Sequence, residues 1–300
     1  MSNPSALRTV AELREHGIRI LEGARVPTPD VDAELLLGHV LGITRGQVQA
    51  KAVTGTGVSP EARIAFVEAI ERRAAREPLQ HITGVAPFRS LELAVGPGVF
   101  VPRPETEFVA QIAIDALRAV ATPQPRAADL GTGSGALALA LATEVPHAVV
   151  WAVENSPRAF IWARENTNRI GAANLRLVFA DLVSALPELD GTLDVVVSNP
   201  PYIPDDAIPR DPEVRLYDPA AALYGGPDGL DVVRGLSQRA LALLRPGGSL
   251  VIEHGERQGA ELRALLEADG WRATATHRDL LGRDRATTAL APLSPALSDR

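Results

Sequence analysis

Leu193-Asp194-Val195-Val196-Val197-Ser198-Asn199-Pro200-Pro201-Tyr202 sets the fold class of this chain. The apolar run from Leu193 to Val197 predicts a buried strand ending at Ser198. Neither proline offers an N–H to a ladder, so no central strand continues through them. The pair also restricts the backbone and stiffens the loop. Asn199 is thereby left at the C-terminal edge of a strand, the edge at which open α/β sheets bind ligands. An Asn side-chain oxygen and a neighbouring backbone carbonyl can both accept hydrogen bonds from one –NH2 group. The Tyr202 ring can lie against the flat face of that group.

Around this stretch, strands and helices alternate. Strands are predicted at residues 127–130, 149–153, 175–179, 193–197 and 249–253, with a closing pair at 271–277 and 287–293 that includes an antiparallel edge. Helices are predicted over 135–141, 156–169, 228–244 and 257–268, the third ended by Pro246-Gly247-Gly248. Seven strands with regular β-α alternation predict a Rossmann-like, doubly wound, mostly parallel sheet.

The first strand-to-helix turn reads Asp129-Leu130-Gly131-Thr132-Gly133-Ser134-Gly135. Glycines there permit a tight turn and close approach of backbone to a ligand. The spacing is G-x-G-x-G, not the G-x-G-x-x-G of dinucleotide folds. Glu154 ends the second strand, where an acid can take both ribose hydroxyls of an adenosine-type cofactor. Asp181 and Leu182 follow the third strand, where an adenine base would find a hydrogen bond and an apolar cover. Singly, each acid reads as a cap or loop charge; ending successive strands, the three elements predict a nucleoside pocket.

Ahead of the sheet, residues 9 to about 77 read as helices. Leu13, Ile18 and Leu21 mark one apolar face. Asp30 is a predicted cap for a second helix, Thr44 for a short third, and Ser59-Pro60 opens a fourth with Ile64, Phe66, Val67 and Ile70 inside. Arg72, Arg73 and Arg76 crowd its C-terminal end, either complementing the helix dipole or forming a small basic patch for an acidic partner. Residues 78–101 read as a connector whose alternating residues flank Gly96-Pro97-Gly98 as a β-hairpin. The predicted division is thus a helical domain over 1–77, the connector over 78–101 and the sheet domain over 102–300. Pro102-Arg103-Pro104-Glu105 opens the latter as a segment facing substrate or cofactor.

Composition limits the function. Of 300 residues 46% are hydrophobic and 22% charged, enough for ample core. The net charge of −7 gives no global basic field for nucleic acid. With no cysteine, disulfides, thiolate metal sites and cysteine nucleophiles are excluded, and a reducing compartment fits. Six scattered histidines form no metal-ligand cluster. The first residues, Met1 to Arg8, carry no apolar signal core, and the purest apolar stretch, Ala136 to Ala142, is too short to span a membrane. The expected location is the cytoplasm, with no membrane partner.

Asp129 to Gly135 with Glu154 resembles the S-adenosylmethionine site of class I methyltransferases, and Asn199-Pro200-Pro201-Tyr202 resembles their amino-methylating branch. Further segments resemble the release factor glutamine methyltransferases, the HemK/PrmC family: Pro78 to Gly84, Phe100 to Glu107, Asp228-Gly229-Leu230, Arg245 to Gly248 and Asp279 to Arg285. The resemblance covers residues 9–290. Two departures stand out. His81 replaces an expected Tyr, and Glu253-His254-Gly255 replaces Glu-Ile-Gly; His254 reads as a strand-end residue and not as a base.

The resemblance implies methyl transfer from S-adenosylmethionine to the side-chain nitrogen (N5) of glutamine in the Gly-Gly-Gln loop of class 1 peptide chain release factors. It implies cofactor contacts from Gly131, Thr132, Gly133, Ser134, Gly135, Glu154, Asp181, Leu182, Asn199 and Phe100. Asn199, Pro200 and Tyr202 would act on the amide, with Pro201, Arg103 and Glu105 also lining the substrate site, and the helical domain would select the protein substrate. Other functions share parts of the pattern. A DNA or RNA adenine N6-methyltransferase needs a flipped base and phosphate contacts, for which the acidic chain shows no basic track. A nicotinamide dehydrogenase has no use for Asn-Pro-Pro-Tyr. A non-catalytic nucleoside-binding module would have no reason to hold both motifs.

Overall fold

A computed structural model describes residues 7–293 of the chain. Residues 1–6, within the stretch read as lacking a signal core, and 294–300, the end of the predicted sheet domain, lie outside the described residues. The chain divides into two compact units. One runs to Val85 and includes Pro209–Tyr217; the other comprises Ala86–Ile208 and the chain from Asp218 onward.

The first unit is helical: α1 (Val10–Gly23), α2 (Pro29–Leu41), α3 (Arg45–Val53), α4 (Pro60–Ala74) and the short α5 (Leu79–Thr83). Side chains close the orphan N–H groups at three helix starts. Thr9 and Glu12 form a capping box on α1, Thr44 and Gln47 one on α3, and Ser59 caps α4 with Pro60 at its first position. At α2 the cap position belongs to Thr28, and the predicted cap Asp30 lies in the first turn, where its charge suits the helix dipole. Leu13, Leu21, Leu36, Leu37, Phe66 and Ile70 form the core. Ile64, expected inside, is 55% exposed, because α4 turns its Phe66, Ala69, Ile70 face inward.

Buried charge in this unit is paired. Glu34 accepts from Arg14 Nε at 2.7 Å, Arg45 Nε at 2.6 Å and Gln49 Nε2 at 2.9 Å. Burial pushes its carboxyl up, but those hydrogen bonds outweigh burial and hold it below the usual range. Arg73 donates from Nε to Asp32 at 2.7 Å and from Nη2 to Glu213 at 2.8 Å, and Arg76 donates to Glu213 at 2.6 Å. Glu213 lies in α9 (Pro212–Tyr217), which the chain contributes to this unit long after leaving it. Arg73 and Arg76 therefore clamp α9 rather than forming a free basic patch.

The second unit holds β1 (Val85–Phe88, whose first residue closes the helical unit) and β2 (Leu91–Ala94), then α6 (Pro104–Arg118), β3 (Arg126–Leu130), α7 (Ala136–Glu144), β4 (Val149–Glu154), α8 (Pro157–Ile170), β5 (Leu175–Phe179) and β6 (Leu193–Ser198). It continues through α10 (Asp231–Leu243), β7 (Leu244–Glu253), α11 (Gly259–Ala268), β8 (Arg272–Arg278) and β9 (Asp284–Leu290). The seven-stranded sheet has the order β5-β4-β3-β6-β7-β9-β8. Strands β5 through β7 are parallel, and β9 runs antiparallel to both β7 and β8. The Rossmann-like sheet read from the sequence is thus present. Alternate residues feed opposite cores: Val195 and Val197 meet α6 and α7, whereas Val196 meets α10 and α11. Ala136 to Ala142 is buried all round beneath the sheet. No described helix is long and apolar enough to cross a membrane.

Two local readings change. The hairpin turns at Arg89-Ser90, not at Gly96-Pro97-Gly98. Arg89 takes positive φ there and is held by Glu107, Gln111 and Glu144. Gly96 serves packing instead, since a Cβ on it would stand 2.5 Å from the Trp162 ring. Pro246-Gly247-Gly248 ends no helix but lies within β7. The register jumps from Leu193 beside Leu244 to Val195 beside Ser249, so the extra residues bulge while pairing resumes on both sides.

Arg73→Ala leaves Asp32 and Glu213 without this partner and should destabilise the helical unit by about 3 kcal/mol. Arg72→Ala, at a side chain 48% exposed, should cost no more than about 0.5 kcal/mol. Urea unfolding followed by far-ultraviolet circular dichroism checks the contrast; equal midpoints for the two variants would refute the buried clamp.

Candidate active site

The strand order reverses between β3 and β6, and the carboxyl ends of such neighbours form a ligand crevice. Register places the motifs around it. Asp129 pairs with Ala152 on one side and Val197 on the other. The glycine loop therefore leaves β3 between Glu154, at the end of β4, and Asn199, just past β6.

The loop is tightly fixed. Gly131 and Thr132 donate their N–H groups to the Val153 carbonyl at 2.9 and 2.8 Å. Gly131 and Gly133 have φ of 79° and 59°, the left-handed region that glycine enters without strain. A Cβ on either would meet nothing within 4 Å, so open space lies over the turn. Glu154 Oε2 accepts from Gly133 N at 2.8 Å, and Oε1 accepts from Asn155 N at 3.0 Å and Ser156 N at 2.8 Å. Burial raises the Glu154 carboxyl, against these three backbone N–H groups. Asp129 accepts from Thr132 Oγ1 at 2.6 Å and Ala138 N at 3.1 Å. Burial pushes it up to about 7, and its Oδ1 is buried without a hydrogen-bond partner. Thr132 and Ser134 are buried, and Asn166 ties the Ser134 carbonyl to Ala94.

Beyond β5, Asp181 is exposed and caps its own turn through Val183 N at 3.0 Å, while Leu182 packs half-buried on the core below. Phe100 is half-buried, with the Arg103 guanidinium 4.9 Å above its ring. Arg103 also donates to Asp218 at 2.6 Å. Glu105 accepts from Arg283 at 2.9 Å, which joins the start of α6 to the loop between β8 and β9. Both residues predicted to face substrate thus have fixed partners.

The Asn-Pro-Pro-Tyr segment is braced by the last residue of β6 and from outside the strand. Ser198 Oγ donates to the Leu130 carbonyl at 2.5 Å, tying the ends of β6 and β3. Pro200 is buried and Pro201 half-buried. Gln258 Nε2 donates to the Tyr202 carbonyl at 2.9 Å, and Gln258 Oε1 accepts from Gly255 N at 2.9 Å. Gly229 lies against the same carbonyl so closely that a Cβ would stand 2.3 Å from it. Burial, then the Glu253 charge, pushes the Tyr202 phenol well above its ordinary value, so the ring is neutral. Asn199 Nδ2 donates to Thr106 Oγ1 at 3.5 Å, from α6. Thr106 lies beside Glu253, buried at the end of β7, and its hydroxyl works against the burial that raises that carboxyl.

Gln258, Thr106 and Glu253 were not singled out as site residues by the sequence. Only their inclusion in the segments Phe100 to Glu107 and Glu253 to Gly255 pointed towards two of them. His254 is buried at the strand end between the Gly255 carbonyl and Thr287 Oγ1, each 2.9 Å away.

These residues fit an adenosine-bearing cofactor: an open glycine turn, a buried carboxylate beside it and an unpartnered carboxyl oxygen on Asp129. With an Asn-Pro-Pro-Tyr amide acceptor alongside, fold and site define an S-adenosylmethionine-dependent methyltransferase. The family profile of the PrmC N-terminal domain matches residues 12–84, and that of the methyltransferase small domain matches 91–221. The release factor glutamine methyltransferase of Streptomyces coelicolor is 49% identical over 271 residues, covering 90% of this chain and 93% of its own. That of Bifidobacterium longum is 44% identical over 291 residues, covering 94% and 96%. A Thermus thermophilus 16S rRNA N2 G1207 methyltransferase, solved with AdoMet and guanosine, shares the fold with a TM-score of 0.51 and 23% identity over 69% of this chain and 49% of that one. The chain belongs to the release factor glutamine methyltransferase family.

The raised Asp129 carboxyl has a consequence for stability. Unfolded, an aspartate titrates near 4. Between about 4 and about 7 the folded chain holds this proton and the unfolded chain does not, so stability falls as pH rises, by at most ~1.4 kcal/mol per unit. Asp129→Asn should flatten that part of the slope in ligand-free protein. Denaturant unfolding across pH 4–8 checks this; an unchanged slope would place the proton elsewhere.

Proposed function

We propose that the chain methylates the side-chain amide nitrogen of the glutamine in the Gly-Gly-Gln loop of class 1 peptide chain release factors, in the cytoplasm, with no direct nucleic-acid partner. The observation that carries this reading is Asn199. It stands just past β6 at the topological switch, beside the glycine loop, with its Nδ2 engaged by Thr106. The Asn199 oxygen is thereby left to accept.

Gly131, Gly133 and Gly135 with Thr132 and Ser134 form the backbone cradle of the cofactor site, and Glu154 supplies its charged acceptor. Asp181, Leu182 and Phe100 complete the walls. Bound there, S-adenosylmethionine supplies an electrophilic methyl group on a sulfonium. An amide nitrogen is a poor nucleophile because its lone pair is delocalised into the carbonyl. Asn199 Oδ1 and the Pro200 carbonyl, accepting from its two N–H bonds, favour a pyramidal nitrogen and release the lone pair. Tyr202 bears on the flat face of the amide, with Pro201, Arg103 and Glu105 around it. Catalysis here is positioning and local electrostatics. The methylated, protonated amide is strongly acidic and loses its proton to water, so no basic side chain is required. The helical unit, which carries no cofactor motif, selects the intact protein substrate.

Glu154→Ala should weaken S-adenosylmethionine binding by about 1–3 kcal/mol, since charge-assisted hydrogen bonds and the tie to Gly133 are lost together. Calorimetry giving wild-type affinity would remove Glu154 from the site. Asn199→Ala should lower kcat about 10²–10³-fold. Asn199→Asp should retain cofactor binding yet lose transfer, because a buried carboxylate is costly unpaired and its protonated form converts an acceptor into a donor. Single turnover at saturating cofactor checks both, and full-speed transfer by Asn199→Ala would end this reading.

A further inference from the structure

An Asn side chain can present its amide in two orientations related by a half-turn, with oxygen and nitrogen exchanged. The proposed reaction uses only the one that directs Oδ1 to the substrate. We propose that Thr106, itself oriented by Glu253, is a positioning residue that locks the Asn199 amide with its oxygen toward the substrate. This rests on the amide-methylating role of Asn199 given above.

Donor and acceptor capacity decides the orientation. Thr106 Oγ1 has one hydrogen and two lone pairs. It is 4% exposed and Glu253 2%, so solvent offers neither a ready substitute partner. We assign the Thr106 hydrogen to the neighbouring Glu253 carboxyl, which the hydroxyl holds lower than burial alone would and which when ionised only accepts. Toward Asn199 the hydroxyl is then left with lone pairs alone, and it can face only Nδ2, as it does at 3.5 Å. The opposite orientation would set Oδ1 against an oxygen with no hydrogen to give. Ligand-free catalytic contacts are often this long and tighten on substrate binding.

The sheet explains why these three residues meet. Ser198 pairs with Ile252, so the next residues along the parallel strands, Asn199 and Glu253, emerge side by side. Thr106 in the first turn of α6 lies over both. Glu253 is faced by Arg285 from β9, Glu105 from α6 and the Tyr202 phenol. Burial pushes its carboxyl up to about 7, against Thr106 and Arg285, which lower it. Its Oε2 makes no hydrogen bond. A buried carboxylate held by one hydroxyl is an expensive arrangement for packing alone; it is explained by the direction it imposes on that hydroxyl.

The test uses the full chain with intact release factor at pH 8.5, where Glu253 is ionised. Thr106→Val should lower kcat about 10- to 100-fold, with KM for release factor and affinity for S-adenosylmethionine unchanged. Thr106→Ser, which restores the hydroxyl, should restore kcat. In an Asn199→Ala background Thr106→Val should have no further effect, because its influence runs through that amide. Glu253→Gln, whose amide can donate to Thr106 and free its hydrogen, should lower kcat in the same direction; it carries the test should Thr106→Val fail to fold. Wild-type kcat in Thr106→Val or in Glu253→Gln would overturn the proposal. So would an effect of Thr106→Val that persists in Asn199→Ala, or one matched by an equal loss of cofactor affinity. Undiminished turnover by Asn199→Ala alone would instead overturn the function on which the proposal rests.

Discussion

The end of β6 cannot be extended. Two prolines without N–H groups follow Asn199, so a strand buried at every position stops where the strand order reverses. Everything around the crevice answers to that break. The freed backbone must be held: Gln258 on the Tyr202 carbonyl and Gly229 against it come from other elements, and Ser198, the last residue of β6, ties to the Leu130 carbonyl of β3. A segment that left the ladder without such braces would be a mobile loop. Braced, it is a rigid presentation of one amide and one ring, which is what orienting a substrate amide requires.

Two sets of carboxylates behave in opposite ways. In the helical unit Glu34 is surrounded by Arg14, Arg45 and Gln49, and its carboxyl is held low despite burial. Around the crevice Asp129, Glu154, Glu253 and Asp218 are all raised, burial being the largest cause at each. Asp129, Glu253 and Asp218 each keep one buried oxygen without a hydrogen-bond partner. The first pattern is that of structural ion pairing. The second leaves carboxyl oxygens unpartnered around the crevice, the expected signature of a site that completes itself with a ligand.

What the sequence made legible was local. The glycine turn, the acid ending the second strand and the proline stop each lie within a few residues, and their placement follows from strand alternation alone. The seven-stranded sheet followed for the same reason. Thr106 was hidden because its partner Asn199 is 93 positions away, and Gln258 because Tyr202 is 56 away. No period or spacing encodes such contacts. The hairpin was misplaced because its turn uses Arg89, a residue with no turn signature, stabilised by acids on α6 and α7. Pro246-Gly247-Gly248 read as a stop because a bulge that lets β7 resume is a property of the paired strand. The basic cluster at 72–76 looked available because Glu213, its acceptor, arrives from the far side of the chain.

In the proposed reaction Asn199 and its loop orient a glutamine amide for methylation. The most direct measurement is to locate the transferred methyl group. The full chain is incubated with isotope-labelled S-adenosylmethionine and purified release factor, with a factor whose Gly-Gly-Gln is replaced by Gly-Gly-Glu, or with double-stranded DNA, and the products are sequenced by mass spectrometry. A single label is expected on the side-chain nitrogen of the glutamine, absent from the replaced factor and from DNA. Label on adenine, or on the release factor at any other residue, would contradict it.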